Sequence, residues 1–119
     1  MVVDDSRSVR AQVAAVLSEA GYQVVEAGDG LDGATKISQE ADLALVICDV
    51  NMPKMNGIEM VTLVKQDPRH AELLIIMLTT EARATLITQA KAAGARGWIV
   101  KPFKPDLLLA TVRKLAGAA

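Results

Sequence analysis

Two spacings of apolar residues alternate along the chain. Short runs rich in β-branched residues are typical of strands, whereas longer segments with an apolar residue every three or four positions are typical of helices. The short runs predict strands at residues 2–4, 23–27, 43–49, 73–79 and 98–101. The longer segments predict one helix after each of these strands.

End signals agree with the predicted helices. Ser6 can cap the first helix, Gly21 and Gly94 follow the ends of the first and fourth, and Asp67 with Pro68 closes the third. The apolar stripes of the five helices are Val9, Val13, Val16 and Leu17; Leu31, Ala34 and Ile37; Ile58, Val61 and Val64; Leu86, Ile87, Ala90 and Ala93; and Leu108, Val112 and Leu115.

Two of the predicted strands contain unbroken apolar runs, at residues 43–48 and 73–78. Such runs are typical of parallel strands that helices cover on both faces. With right-handed crossovers, the pattern predicts an α/β fold with a doubly wound, five-stranded parallel sheet. Because 119 residues fall within the usual size of one domain, we expect residues 1–119 to form a single domain.

Composition and charge exclude several classes of function. Thirteen Lys and Arg against fourteen Asp and Glu give a net charge of −1, which provides no field to attract nucleic acid. No apolar run approaches the roughly 18 residues of a membrane span, and the first residues do not resemble a signal peptide. We therefore expect a soluble, cytoplasmic protein that binds neither nucleic acid nor membrane.

Single cysteine and histidine residues limit the chemistry further. Cys48 lies in an apolar run, so we expect a buried structural thiol and no intrachain disulfide. His70 lies in the polar connection 67–72, where we expect a solvated loop residue, which disfavours a histidine dyad or a zinc site. Gly28, Gly30 and Gly33 do not form a phosphate-binding fingerprint after the first strand, so nucleotide binding is disfavoured.

Polar residues lie at the ends of four of the predicted strands. Ligands of doubly wound sheets bind beyond the carboxyl ends of the strands. Three carboxylates that meet at this edge repel one another strongly unless a cation is present, and Mg²⁺ suits a site of carboxylates, water and phosphate oxygens. The residues at the strand ends are Asp4 and Asp5, Asp49, Thr79 and Thr80, and Lys101.

This combination of groups favours phosphoryl transfer. Asp49 can act as the in-line nucleophile, and the metal together with Lys101 can neutralise charge on the equatorial oxygens. Thr79 can donate a hydrogen bond to the product. The sequence therefore predicts a site that accepts a phosphoryl group on Asp49.

The polar residues at the strand ends lie in short motifs. In these motifs the chain resembles the receiver domains of two-component response regulators, and the resemblance covers its whole length. The resemblance implies a (βα)5 flavodoxin-like fold with strand order 2-1-3-4-5. Residues 97–105 are most similar to the stand-alone receivers of chemotaxis. The matching motifs are VVDDS at residues 2–6, DVNMP at 49–53, MNG at 55–57, MLTT at 77–80 and KPF at 101–103.

Site roles are implied by this resemblance. Asp49 would accept a phosphoryl group from a histidine kinase. Asp5 would bind Mg²⁺ directly, Asp4 through a metal-bound water, and Asn51 through its backbone carbonyl. Thr79 and Lys101 would contact the phosphoryl group, and the Lys101–Pro102 peptide bond would be cis.

A phosphorylation-dependent binding face is also implied. Trp98 stands where receivers usually carry a Tyr or Phe that swings inward. As the sole tryptophan, it is equally a candidate for a core or interface residue. A downstream target protein would bind the face of the fourth helix, fifth strand and fifth helix, around Lys91, Trp98 and Lys104. The protein would be a monomer or a phosphorylation-dependent dimer, and chemotaxis is the expected pathway.

The start of the chain departs from the family pattern. Only Met1 precedes Val2, whereas receivers normally have several residues before this stretch. We therefore expect a shortened first strand that holds Asp4 and Asp5 loosely.

Two other functions are alternatives to a signalling domain. An aspartyl-phosphate hydrolase of similar fold needs a second carboxylate two residues after the nucleophile, where this chain has Asn51. A receiver-like interaction module that never carries phosphate is disfavoured by the intact set of Asp5, Asp49, Thr79 and Lys101. We therefore expect a phosphorylated signalling domain and not a turnover enzyme.

Overall fold

The apolar runs of the sequence pair side by side as parallel strands. The computed structural model describes residues 1–40, 42–80 and 83–116. Strands and helices alternate along these residues, as predicted. The elements are β1 (Val2–Val3), α1 (Arg7–Glu19), β2 (Glu26–Ala27), α2 (Gly30–Gln39), β3 (Leu45–Cys48), α3 (Gly57–Lys65), a 3₁₀ helix (Pro68–His70), β4 (Leu74–Thr79), α4 (Ala84–Ala93), β5 (Gly97–Val100) and α5 (Pro105–Ala116).

The sheet has the order β2-β1-β3-β4-β5 with every strand pair parallel, which confirms the flavodoxin-like α/β fold. Its register decides what meets at the carboxyl edge. Val3 pairs with Cys48 and Thr79 pairs with Val100, so the residues that follow, Asp4, Asp49 and Lys101, emerge at the same edge.

Helices cover both faces of the sheet because successive strand residues point to opposite sides. Both layers are aliphatic, and burying one such side chain stabilises the fold by about 1.5–3 kcal/mol. On one face the buried strand residues Val3, Val46, Cys48, Ile75 and Met77 pack with Ile37, Met60, Val61, Val64 and Ala90 of α2, α3 and α4. On the other face Val2, Leu45, Ile47, Ile76, Leu78 and Ile99 pack with Val13, Leu17, Leu108 and Val112 of α1 and α5.

Predicted end signals are confirmed at three helices. The Ser6 side chain accepts a hydrogen bond of 3.3 Å from the Val9 amide at the start of α1. Gly94 ends α4 with a φ of 122°, in the left-handed region that glycine tolerates. Asp67 follows the end of α3 and also caps the 3₁₀ helix by accepting from the Arg69 amide at 2.9 Å.

Strand boundaries differ from the prediction. The second strand was expected at 23–27, but β2 contains only Glu26 and Ala27 because it lies at the sheet edge and its partner β1 has two residues. β5 begins at Gly97 and ends at Val100, one residue earlier than predicted at each end. The other three strands are shorter than the predicted ranges 2–4, 43–49 and 73–79.

The prediction that His70 is a solvated loop residue is wrong. It belongs to the 3₁₀ helix, and its side chain is only 14% exposed, in the groove between α2 and α3. The turn started by Pro68 also directs the His70 carbonyl towards the Lys65 ammonium, which donates to it at 3.0 Å.

Cys48 is buried as expected, and burial raises the pKa of its thiol. Among the described helices, none has the length and apolar character needed to cross a membrane.

Candidate functional site

Lys101 joins the ends of β1 and β3. Its ammonium Nζ lies 2.8 Å from Oδ2 of Asp4 and 3.2 Å from Oδ2 of Asp49. Asp4 and Asp49 are both buried, whereas the lysine is partly exposed. A buried carboxylate needs a counter-charge or hydrogen-bond donors, and this shared ammonium supplies both.

Each buried carboxylate also accepts a backbone hydrogen bond. Oδ1 of Asp4 accepts from the Ser6 amide at 2.8 Å, and Oδ1 of Asp49 accepts from the Val50 amide at 2.7 Å. These bonds fix one oxygen of each side chain. The second oxygen of each therefore faces Lys101.

Asp5 completes a group of three carboxylates. One ligand oxygen from each of Asp4, Asp5 and Asp49 lies within 4.8 Å of the other two. Asp5 is exposed, so the group is open to solvent on one side. Hard oxygen ligands with an open side fit Mg²⁺, which keeps several waters and one or two carboxylates.

The position of Lys101 is set by its backbone. The Lys101 amide donates to the Thr79 carbonyl at 2.8 Å, and the Lys101–Pro102 bond is cis, as the family resemblance implies. Burial alone lowers the pKa of the ammonium. Hydrogen bonds and charge from Asp4 and Asp49 outweigh that effect and raise the pKa of Lys101 above its usual value. The lysine is therefore held in its charged form.

The connection from β3 to α3 carries Asn51, two residues after Asp49. It closes with a hydrogen bond of 2.8 Å from the Gly57 amide to the Val50 carbonyl. Lys54 has a φ of 67°, an uncommon conformation for a residue with a side chain. The connection approaches α2 so closely that a Cβ on Gly30 would lie 2.1 Å from the Met55 carbonyl oxygen.

Two glycines therefore shape this connection from outside it. A Cβ on Gly57 would lie 1.9 Å from the carbonyl oxygen of Asp49. Close approach of the backbones is possible only without a side chain at that position. The packing fixes the path on which Asn51 lies, although binding of Mg²⁺ by its carbonyl stays a prediction.

The remaining predicted residues lie on β4, on α4, on β5 and just before α5. Thr79 is buried at the end of β4, beside the backbone of Lys101. Trp98 is half-buried on β5, opposite Met77, and packs against the core on the α2, α3 and α4 side. Lys91 and Lys104 are exposed on α4 and just before α5. The structure thus brings the acidic residues, Thr79 and Lys101 to one edge and leaves the three interface candidates outside it.

Arg10 of α1 was not among the predicted site residues. Its Nη1 donates to the backbone carbonyl of Asp4 at 2.6 Å. A basic residue on a helix is ordinarily solvated, so composition gave no signal. A usable signal was its place one turn after the cap residue Ser6, because long helical side chains lean back towards the helix N-terminus.

Comparison with known proteins shows the family of the chain. The family model for the response regulator receiver domain matches residues 1–113. The chain belongs to the response regulator receiver family. A curated receiver relative, the chemotaxis protein CheY1 of Helicobacter pylori, is 42% identical over 109 residues, covering 91% of this chain and 88% of the relative.

Solved receiver structures share the fold. The chemotaxis protein CheY4 of Vibrio cholerae superposes with a TM-score of 0.91 at 41% identity, covering 96% of this chain and 94% of that one. The CheX–CheY–BeF3–Mg²⁺ complex of Borrelia burgdorferi matches with a TM-score of 0.89 at 25% identity, covering 95% and 84%. This receiver is therefore of the CheY type, and its named relatives are chemotaxis proteins.

Proposed function

We propose that the protein is a phosphorylation-activated receiver that accepts a phosphoryl group on Asp49 from a histidine kinase. Mg²⁺ would be held by Asp4, Asp5, Asp49 and the Asn51 carbonyl. The observation that supports this proposal is the group of three carboxylates within 4.8 Å, two of which share the ammonium of Lys101. Phosphoryl transfer needs such a combination of an oxygen nucleophile and fixed positive charge.

Asp49 has one oxygen fixed and one facing the ammonium. Oδ1 is held by the Val50 amide, whereas Oδ2 lies near Lys101. A carboxylate oxygen forms a bond to phosphorus while the phosphorus–nitrogen bond of the phosphohistidine breaks. The electron pair of the broken bond leaves with the imidazole. When bound, Mg²⁺ supplies positive charge that offsets the negative charge of the phosphoryl oxygens.

Lys101 and Thr79 act on the product. The Lys101 ammonium can change its hydrogen-bond partner from a carboxylate oxygen to a phosphoryl oxygen while it stays at the edge of the sheet. Thr79 would donate its hydroxyl hydrogen to another phosphoryl oxygen. The phosphorylated state then favours one of two conformations because these contacts form in only one of them.

Output would pass through the face formed by α4, β5 and α5, which carries Lys91, Trp98 and Lys104. Val100 and Leu107 are large apolar residues exposed on the same elements. A target protein could cover them in the phosphorylated state, with the protein as a monomer or a phosphorylation-dependent dimer. We propose a chemotaxis pathway in the cytoplasm, since the named relatives are chemotaxis proteins.

A direct test is incubation of the protein with acetyl phosphate and Mg²⁺, followed by intact mass spectrometry. We expect one added phosphoryl group that survives acid and is lost in base. The adduct should be absent when EDTA replaces Mg²⁺ and in Asp49→Asn. An unchanged adduct in Asp49→Asn would reject the acceptor assignment.

Hydrolase activity is disfavoured by Asn51. Its amide cannot exchange a proton with an attacking water as a carboxylate does. We therefore expect the Asp49 adduct to last for seconds or longer after acetyl phosphate is removed. Rapid turnover of p-nitrophenyl phosphate that disappears in Asp49→Asn would favour the enzyme instead.

A further inference from the structure

We propose that Arg10 is a positioning residue that holds the Asp4–Asp5 peptide for Mg²⁺ binding. Arg10 donates from Nη1 to the Asp4 carbonyl at 2.6 Å. This carbonyl belongs to the peptide that links Asp4 to Asp5. Its orientation therefore influences the direction in which the Asp5 carboxylate points.

The need for such a contact follows from the shortness of β1. The strand ends at Val3, and the Asp4 amide makes its last sheet contact by donating to the Ala27 carbonyl at 3.1 Å. Beyond that point the chain turns into α1, and the Asp5 side chain is exposed. The guanidinium fixes the backbone at the point where the sheet contacts end.

Arg10 is itself held in place from a second strand. Its Nε lies 3.5 Å from Oε1 of Glu26 on β2, and its side chain is only 19% exposed. The planar guanidinium can contact Asp4 and Glu26 at once, which a lysine ammonium cannot do with the same geometry.

The positive charge of Arg10 and its positioning hydrogen bond to Asp4 have opposite effects on the affinity for Mg²⁺. A positive charge beside the carboxylates repels a cation, so removing that charge alone would strengthen Mg²⁺ binding. Loss of the hydrogen bond to Asp4 would loosen Asp5 and weaken binding. Residues that orient metal ligands typically contribute about 10- to 100-fold in affinity, so we expect position to outweigh charge.

The test compares the Mg²⁺ dissociation constants of wild type, Arg10→Gln and Arg10→Lys. Mg²⁺ is titrated against bound Mn²⁺, and free Mn²⁺ is read by electron paramagnetic resonance. We expect both variants to raise the dissociation constant by about tenfold or more. Arg7→Gln, which removes the same charge from an exposed position of the same helix, should not raise it.

Arg10→Lys keeps the charge and gives a folded comparison if Arg10→Gln is unstable, with folding checked by urea unfolding. The inference rests on the proposed function. Wild-type protein that binds no Mg²⁺ would overturn both. Equal or lower dissociation constants in folded Arg10 variants, with normal binding by wild type, would overturn the role of Arg10 alone.

Discussion

The ammonium of Lys101 lies 2.8 Å from a carboxylate oxygen of Asp4, although 97 positions separate the two residues in the chain. Asp4 follows β1 in the sheet's interior and Lys101 follows the edge strand β5. Their contact requires β3 and β4 to pair in register between them. The site is therefore assembled by the same strand pairing that forms the fold.

Removal of the ammonium should make stability depend on Mg²⁺. In Lys101→Met, the buried Asp4 and Asp49 lose their shared counter-charge, which should lower the free energy of unfolding by about 3 kcal/mol in EDTA. Excess Mg²⁺ should restore much of this loss because the metal supplies the missing charge. Urea unfolding with and without Mg²⁺ measures both effects.

Lys104→Met is the matched control, since Lys104 is exposed and lies three positions away. It should be close to wild type in both conditions. A loss in Lys101→Met that Mg²⁺ does not reduce would argue against the shared charge as its cause.

The raised pKa of Lys101 gives a stability difference with a defined sign. A base whose pKa is higher in the folded state contributes its full stability below the unfolded value of 10.5 and loses it as pH rises through the folded value. From neutral pH up to 10.5, the difference in urea midpoint between wild type and Lys101→Met should therefore be constant, and it should shrink above pH 10.5. A constant difference across that range would contradict a raised pKa.

Gly57 should not tolerate a side chain. In Gly57→Ala the new Cβ would lie 1.9 Å from the Asp49 carbonyl, so the backbone of β3 or α3 must move. We expect a loss of about 3 kcal/mol in the free energy of unfolding, measured by urea denaturation. Gly28→Ala is the control, because its Cβ would meet Arg10 Nη1 at 3.7 Å, an ordinary contact. Equal stability of the two variants would refute this packing argument.

Trp98 should report the change of state. It is the sole tryptophan and is half-buried against the core, so its emission depends on local packing. Addition of beryllofluoride and Mg²⁺ should change its fluorescence spectrum in wild type and not in Asp49→Asn. An unchanged wild-type spectrum under conditions where beryllofluoride binding is detected would reject a switching role for Trp98.

The fold was predictable because its signals are local and redundant. Unbroken apolar runs such as 73–78 require burial on both faces, and Ser6 and Gly94 mark helix ends by their own chemistry. Strand length was less predictable. The number of paired residues in β2 depends on β1, so no pattern within 23–27 could show that pairing begins at Glu26.

Only those site residues that lie at strand ends were predictable from the sequence. Asp4, Asp49 and Lys101 follow strands directly, so their convergence followed from the sheet. Arg10 was missed although its place one turn after Ser6 was a usable signal. The burial of His70 depends on how the 3₁₀ helix packs, which neighbouring residues in the sequence do not encode.

Identification of the phosphorylated residue shows whether Asp49 or one of the neighbouring aspartates, Asp4 and Asp5, is the acceptor. After reaction with acetyl phosphate and Mg²⁺, borohydride reduces an aspartyl phosphate to homoserine, which peptide mass spectrometry can locate. We expect homoserine in place of Asp49 alone, and none when EDTA replaces Mg²⁺. Homoserine in place of Asp4 or Asp5, or phosphorylated protein with no reducible aspartate, would contradict the assignment of Asp49 as the acceptor.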